Sequence, residues 1–275
     1  MRDVPALADY LSGGTPEIDL DRAALDLAAI EFPGLDPGPS IAALETIAAD
    51  LRARLTGISE GLERVSIAND FLFGHLGFHG NETDYYNPRN SCLNEVLDSR
   101  AGIPITLSLL YMEVARRAGL PVYGIALPGH FIVQYDDGQS SLFIDPFHGG
   151  RVLSREDCLA IVREHVKTGL PEDAALFAHS TKRQILIRML YNLRGAYLRL
   201  HSLGRAVEVL NLLILANPAS PEERKERGLI QLHLRKLGAA AIDFHEYLRL
   251  SPQAADRGQI KRQLEAIHRF LGTLN

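Results

Sequence analysis

Residues 100–149 read RAGIPITLSLLYMEVARRAGLPVYGIALPGHFIVQYDDGQSSLFIDPFHG. Leu107, Leu110, Tyr111, Val114, Ala115 and Ala118 recur at three- and four-residue steps, which predicts an amphipathic helix over 104–118. Pro104 suits the first turn, where its missing N–H costs nothing. Arg116 and Arg117 fall in the last turn, and Gly119 ends the helix. Segments 122–127 and 131–135 then read as strands parted by Pro128-Gly129. Asp136-Asp137-Gly138 is a turn, and 141–144 is the returning strand. One helix followed by an antiparallel sheet gives an α+β core, with His130 on one strand and Asp145 ending its neighbour.

Helix start, strand histidine and strand aspartate are the parts, in order, of a Cys-His-Asp triad of the transglutaminase type. The nucleophile belongs at the helix start, where the macrodipole stabilises a thiolate. That place holds Pro104, and no cysteine lies within ten residues of it. His130 and Asp145 therefore read as a vestigial dyad, with the carboxylate fixing the imidazole tautomer. The plainer reading is a structural His–Asp hydrogen bond at a sheet end. Gly129, next to the histidine, would let a substrate approach closely. Thr106, Ser108 and Cys92 are the substitute nucleophiles within plausible reach. The plainer reading of Cys92 is a small buried hydrophobe, and of Cys158 helix filler. The loop 74–89 is rich in Gly, Asn, Asp and Tyr; its end, with Tyr86 and Asn90, could line a groove or form a surface turn. Asn90 or Ser91 could cap a helix over 90–98.

The rest of the chain is helical. Segment 19–58 has a helical pattern broken at Phe32-Pro33-Gly34 and again at 36–39, and 65–73 reads as another short helix. From Lys182 the sequence repeats: Leu203-Gly204 matches Leu237-Gly238, Ala206 matches Ala240, Leu210 matches Phe244, and Pro218 matches Pro252. Each pair is 34 residues apart, the period of tetratricopeptide helix pairs. Two repeats are fewer than usually stand alone, so 259–271 should cap them and the front repeat should pack on the α+β domain. The expected domains are a helical extension over 1–85, the core over 86–178, and two repeats with a capping helix over 182–275.

The 275 residues carry a net charge of −5, with no basic stripe to hold a nucleic acid. Apolar runs are too short to span a bilayer, residues 1–14 lack the pattern of a signal peptide, and two cysteines form no disulfide framework. A cytoplasmic protein is expected. His75 and His79 have metal-ligand spacing, but Gly74, Gly77 and Gly80 break the helix they would need, and no third ligand is obvious. The sequence has no HExxH, CxxC pair, P-loop or dinucleotide fingerprint, so no metal or other cofactor is expected.

Two longer motifs add a resemblance. Residues 86–97, YNPRNSCLNEVL, continue through Arg100 into Gly102-Ile103-Pro104-Ile105-Thr106-Leu107-Ser108-Leu109-Leu110-Tyr111. Pro128-Gly129-His130-Phe131 and residues 144–150, IDPFHGG, follow. Together they resemble the bacterial family described as regulators of SirC expression. The resemblance covers residues from Asp19 onward. It implies a transglutaminase-like (papain-like) core with a helical N-terminal extension and a tetratricopeptide region. It aligns His130 and Asp145 with the histidine and aspartate of such cores and puts Pro104 where those enzymes have cysteine. It also implies that family members carry an apolar residue at the Cys92 position. A groove with Tyr86, Asn90, Asn94, Arg100, Pro104, Thr106 and Gly129 would then hold a peptide. The expected function is non-catalytic protein binding through that groove and the repeats, in a regulatory role. The competing expectation is a hydrolase or acyltransferase in which Cys92 or a hydroxyl works with His130 and Asp145.

Overall fold

The structure is a computed structural model and describes residues 5–14, 17–166 and 173–272. The opening residues 1–4 of the segment read for a signal peptide lie outside the described residues. The chain divides into two compact units. One is Glu17–Asn192; the other joins Met1–Pro16 to Leu193–Asn275. Met1–Pro16 thus clusters with the repeats and not with the remainder of 1–85.

In the first unit, α2 (Leu20–Ala28), α3 (Gly38–Arg54) and α4 (Gly61–Asn69) precede a π-helical turn over Asp70–His75. The break at 32–39 separates α2 from α3, with Pro39 in the first turn of α3. The short strand β1 (His79–Gly80) pairs in parallel with β2 (Ala101–Gly102), joined by a 3₁₀ turn (Pro88–Ser91) and α5 (Leu93–Ser99). The N-cap position of α5 is Cys92, whose side chain makes no capping bond, so neither Asn90 nor Ser91 caps it. Asn90 is spent elsewhere: its amide bonds to the carbonyls of Asp84 and Tyr85. Helix α6 (Pro104–Ala118) follows, with its first-turn proline and with Gly119 at φ 80° closing it.

The sheet order is β3-β4-β5-β6, all antiparallel: β3 (Val122–Ile125), β4 (Ile132–Asp136), β5 (Ser141–Asp145) and β6 (Arg151–Leu153). The first strand ends at Ile125, earlier than its apolar run, and His130 lies two residues before β4. His130 therefore sits on a turn, its N–H donated to the carbonyl of Leu127. Helix α6 is buried along nearly its whole length, including Thr106, Ser108 and Glu113. It packs against α3 on one side and against β3 and β4 on the other. Helix α7 (Arg155–His165) begins with a Ser154–Asp157 capping box and drives Cys158 and Val162 into a cluster with Ile125, Leu127 and Ile132. The short α8 (Asp173–Leu176) adds Leu176 to the same cluster.

Helix α9 (Lys182–Arg199) leads out of this unit. In the second unit, α1 (Pro5–Ser12) contacts α10 (Leu203–Ala216). Helices α11 (Pro221–His233), α12 (Leu237–Leu250) and α13 (Arg257–Gly272) follow, each packed on the one before. The 34-residue period is visible in the backbone. His201 and Arg235 both take left-handed conformations, at φ 53° and 59°. Each ends a helix with the same paired bonds: Ser202 N–H to Tyr197 and His201 N–H to Leu198, then Lys236 N–H to Gln231 and Arg235 N–H to Leu232. Arg227 on α11 forks onto buried Asp243 of α12 at 2.6 and 2.8 Å and reaches Asn211 of α10 at 2.7 Å. Among the described residues, no helix is long and apolar enough to cross a membrane.

Ala206, Leu210, Ala240 and Phe244 are all 0 % exposed, so these four of the matched positions form the seams between helices. Replacing Ala240 by leucine should cost about 1–3 kcal/mol by overpacking, read as a lower melting temperature. Ile242, 65 % exposed on the same helix, should accept asparagine with a change within about 0.5 kcal/mol.

Candidate functional site

Asp145 ends β5 and is 1 % exposed. The segment Pro146-Phe147-His148-Gly149-Gly150 returns the chain to β6, pairing Asp145 with Arg151. Gly149 and Gly150 take φ of 69° and 77°, a conformation that glycine adopts without strain. A side chain at Gly150 would also meet Asn69 and the Phe73 ring at 2.6 Å. The turn is fixed from outside by the Asn69 amide, 2.6 Å from the Gly150 carbonyl.

This turn loads the carboxylate of Asp145. Oδ1 accepts the main-chain N–H groups of Phe147 and His148 at 3.1 and 3.4 Å. Oδ2 meets His130 Nε2 at 2.9 Å and His148 Nδ1 at 2.7 Å. The His130 side chain is 10 % exposed and that of His148 53 %. Burial works to raise the Asp145 pKa. The hydrogen bonds and charge of the two histidines outweigh it and hold the carboxyl below its ordinary value. Among the described residues, His130, Asp145 and His148 are the single group of three whose donor atoms converge, all within 4.8 Å of one another. His148 escaped the sequence reading although it stands three residues after Asp145 in the quoted IDPFHGG motif.

Aromatic rings wall this cluster. Phe147 meets His130 edge-on at 6.2 Å and Tyr85 at 5.9 Å, and Tyr85 meets Tyr86 at 5.3 Å. Phe147 is seated against Gly80, where a side chain would lie 2.6 Å from its carbonyl oxygen and 2.7 Å from its ring. Gly80 pairs with Gly102, two residues before Pro104. The β1–β2 pair thus ties the aspartate turn to the start of α6.

The other expected site residues are placed as follows. Pro104 is buried in the first turn of α6. Thr106 is buried, its hydroxyl donated to the carbonyl of Asn90 at 2.6 Å, and the buried Ser108 bonds the carbonyl of Phe131 at 3.3 Å. Cys92 is 0 % exposed and bonds the Pro88 carbonyl at 3.6 Å. Burial, with the charges of Glu31 and Glu95, pushes its pKa up to about 12. Burial likewise pushes Cys158 to about 11. Asn90 and Asn94 are buried, and Arg100 ends α5 with its guanidinium 4.6 Å from the centre of the Phe78 ring. Tyr86 is 48 % exposed. Gly129, at φ 78°, is exposed, but a side chain there would meet the His165 ring at 2.1 Å. The close approach that glycine permits is taken by His165 of α7. Surface depressions of about 510 Å³, lined by Lys225 and Tyr247 among others, and about 430 Å³, lined by Asp50, Ala53 and Arg54, do not include the dyad.

A depressed carboxyl contributes stability above its unfolded value, and the contribution fades as pH falls through the folded value. Asp145→Asn should therefore melt below the wild type at pH 7. The gap should narrow as pH falls below the ordinary 3.8. Melting curves of both proteins from pH 7 to pH 2 check this, and a constant gap would remove Asp145 from the acid response.

Comparison with known proteins follows the same division of the chain. Residues 40–191 match a family described as the transglutaminase-like superfamily, and 193–265 match the tetratricopeptide repeat. A UPF0162 protein of Xylella fastidiosa (strain 9a5c) is 35 % identical over 250 residues, covering 90 % of this chain and 89 % of that protein. A UPF0162 protein of Vibrio cholerae is 27 % identical over 198 residues, 71 % of this chain and 73 % of its own. F-box only protein 21 of Homo sapiens is 35 % identical over 133 residues, 46 % of this chain but 20 % of that longer protein. The match over more than half of the chain, and the near full-length likeness to the Xylella protein, make this chain a member of the transglutaminase-like superfamily within the UPF0162 group, its transglutaminase-like domain followed by tetratricopeptide repeats.

Proposed function

We propose that the chain is a non-catalytic protein-binding protein, a pseudoenzyme whose transglutaminase-like core keeps its histidine and aspartate and has lost its nucleophile. The observation that carries this is the state of the two thiols. Both are fully buried, with pKa raised to about 12 and about 11, and the helix start that would hold a catalytic thiolate holds Pro104. A thiol held that far above neutral stays protonated at pH 7, and the thiolate is the attacking form. The two hydroxyls on α6 are buried and bonded to main-chain carbonyls. Repeat helices suit protein segments as ligands. A core that recurs as one fifth of F-box only protein 21 behaves as a module carried into different chains. A regulatory role, as the resemblance to regulators of SirC expression implies, and a cytoplasmic site of action fit this reading.

The competing hydrolase reading draws on one feature, the intact His130–Asp145 bond of 2.9 Å. Alkylation separates the two. Native protein treated with iodoacetamide from pH 5 to 9 and read by mass spectrometry should stay unlabelled at Cys92 and Cys158 while unfolded protein labels fully. Rapid labelling of Cys92 below pH 7, abolished by His130→Ala, would reveal an activated Cys-His pair and overturn the proposal. Affinity capture with the intact chain and with His130→Ala then reads whether the dyad face touches the partner.

A further inference from the structure

We propose that His130, Asp145 and His148 form a binding site for one divalent transition-metal ion of the zinc class, with a coordination position left open. This goes beyond the reading above and does not rest on it. Orienting His130 as a base needs one carboxylate and no second imidazole. Yet a second imidazole is present, and both rings address the same oxygen, Asp145 Oδ2, at 2.9 and 2.7 Å. Two imidazole nitrogens and one carboxylate oxygen are a donor set suited to zinc and its first-row neighbours.

The local structure supplies what such a site needs. Asp145 Oδ1 is held by the N–H groups of Phe147 and His148, so Oδ2 is the oxygen left to coordinate. The three donor atoms already lie within 4.8 Å of one another. A tetrahedral zinc ion sets its ligand atoms roughly 3.3 Å apart. Each nitrogen must therefore withdraw from Oδ2 by roughly half an ångström, while the two nitrogens, up to 4.8 Å apart, close toward that spacing. The His148 side chain, 53 % exposed on its turn, has room to make that shift and gives the ion a way in. With both imidazoles neutral, the protons move to His130 Nδ1 and His148 Nε2, which frees a lone pair on each coordinating nitrogen. Three protein ligands leave a fourth position for water or a group from a partner. Phe147, edge-on to both histidines at 6.2 and 5.1 Å, screens one side of the ion.

The test uses the untagged full chain, stripped with chelator and dialysed. Calorimetric titration with Zn²⁺ should show one equivalent bound per chain. Co²⁺ should give the intense visible absorption of a four-coordinate ion, which zinc then displaces. His148→Ala and His148→Gln should each weaken binding by at least about 100-fold, since loss of an outer-shell partner alone costs 10–100-fold. His79→Ala, whose ring bonds the Gly77 carbonyl outside the cluster, should bind as the wild type does. Unchanged circular dichroism and melting of the apo variants shows that the loss is local. No uptake by the wild type, or uptake that survives both His148 variants, overturns the proposal. Neither result touches the alkylation outcome, because neither cysteine belongs to the cluster.

Discussion

A carboxylate that is 1 % exposed must be answered by donors, and Asp145 is answered by four: two imidazoles and two main-chain N–H groups. Much of the core domain follows from that requirement. The glycine pair after the aspartate exists to turn the chain back so that the N–H groups point at Oδ1. Asn69 and Phe73 close over Gly150 from the preceding helical segment. Phe147, carried on the same turn, fills the space that Gly80 leaves open, and Gly80 is paired with the strand leading into α6. An ionised group in the interior thus fixes the relation between the sheet end and the helix start, the two places from which a triad would be assembled.

On the non-catalytic reading proposed above, that frame has been kept while the attacking group has not. Papain-like chemistry needs a thiol in a solvent-reachable, electropositive place. Cys92 occupies the opposite environment, shut away under the influence of Glu31 and Glu95. It heads α5, not α6, and its side chain makes no bond to the helix it precedes. The proline that stands at the α6 start has neither a nucleophilic atom nor an N–H for an oxyanion. On that proposed reading, the histidine and aspartate serve as structure with polar capacity and not as half of an engine.

Legibility in the sequence followed the range of the interactions. Helix α6 was readable to the residue because its limits are local: a proline fit for the first turn and a glycine for the left-handed end. The 34-residue seams were readable because Ala206 and Ala240 repeat the same packing demand. The His130–Asp145 pair could be anticipated from one hairpin. What could not be read were encounters between distant segments. The ring that fills the space beside Gly129 comes from His165, at the far end of α7. The place of Met1–Pro16 among the repeats depends on contacts with α10, nearly two hundred residues on. His148 had a local signal, its spacing from Asp145, but a histidine in a glycine-rich turn reads as a solvated loop residue until the turn is seen to bring its exposed ring onto Asp145.

The joints between the repeat helices carry one more implication. His201 and Arg235 hold a left-handed conformation in which a non-glycine residue costs roughly 1–2 kcal/mol, and both use the same two main-chain bonds to do so. Two chemically unlike side chains adopt one geometry, so the instruction for the bend resides in the backbone and in the packing on either side of it. Both joints therefore turn the chain by the same rule with different residues in place. A region built this way can grow or shrink by whole units without any new design for its corners.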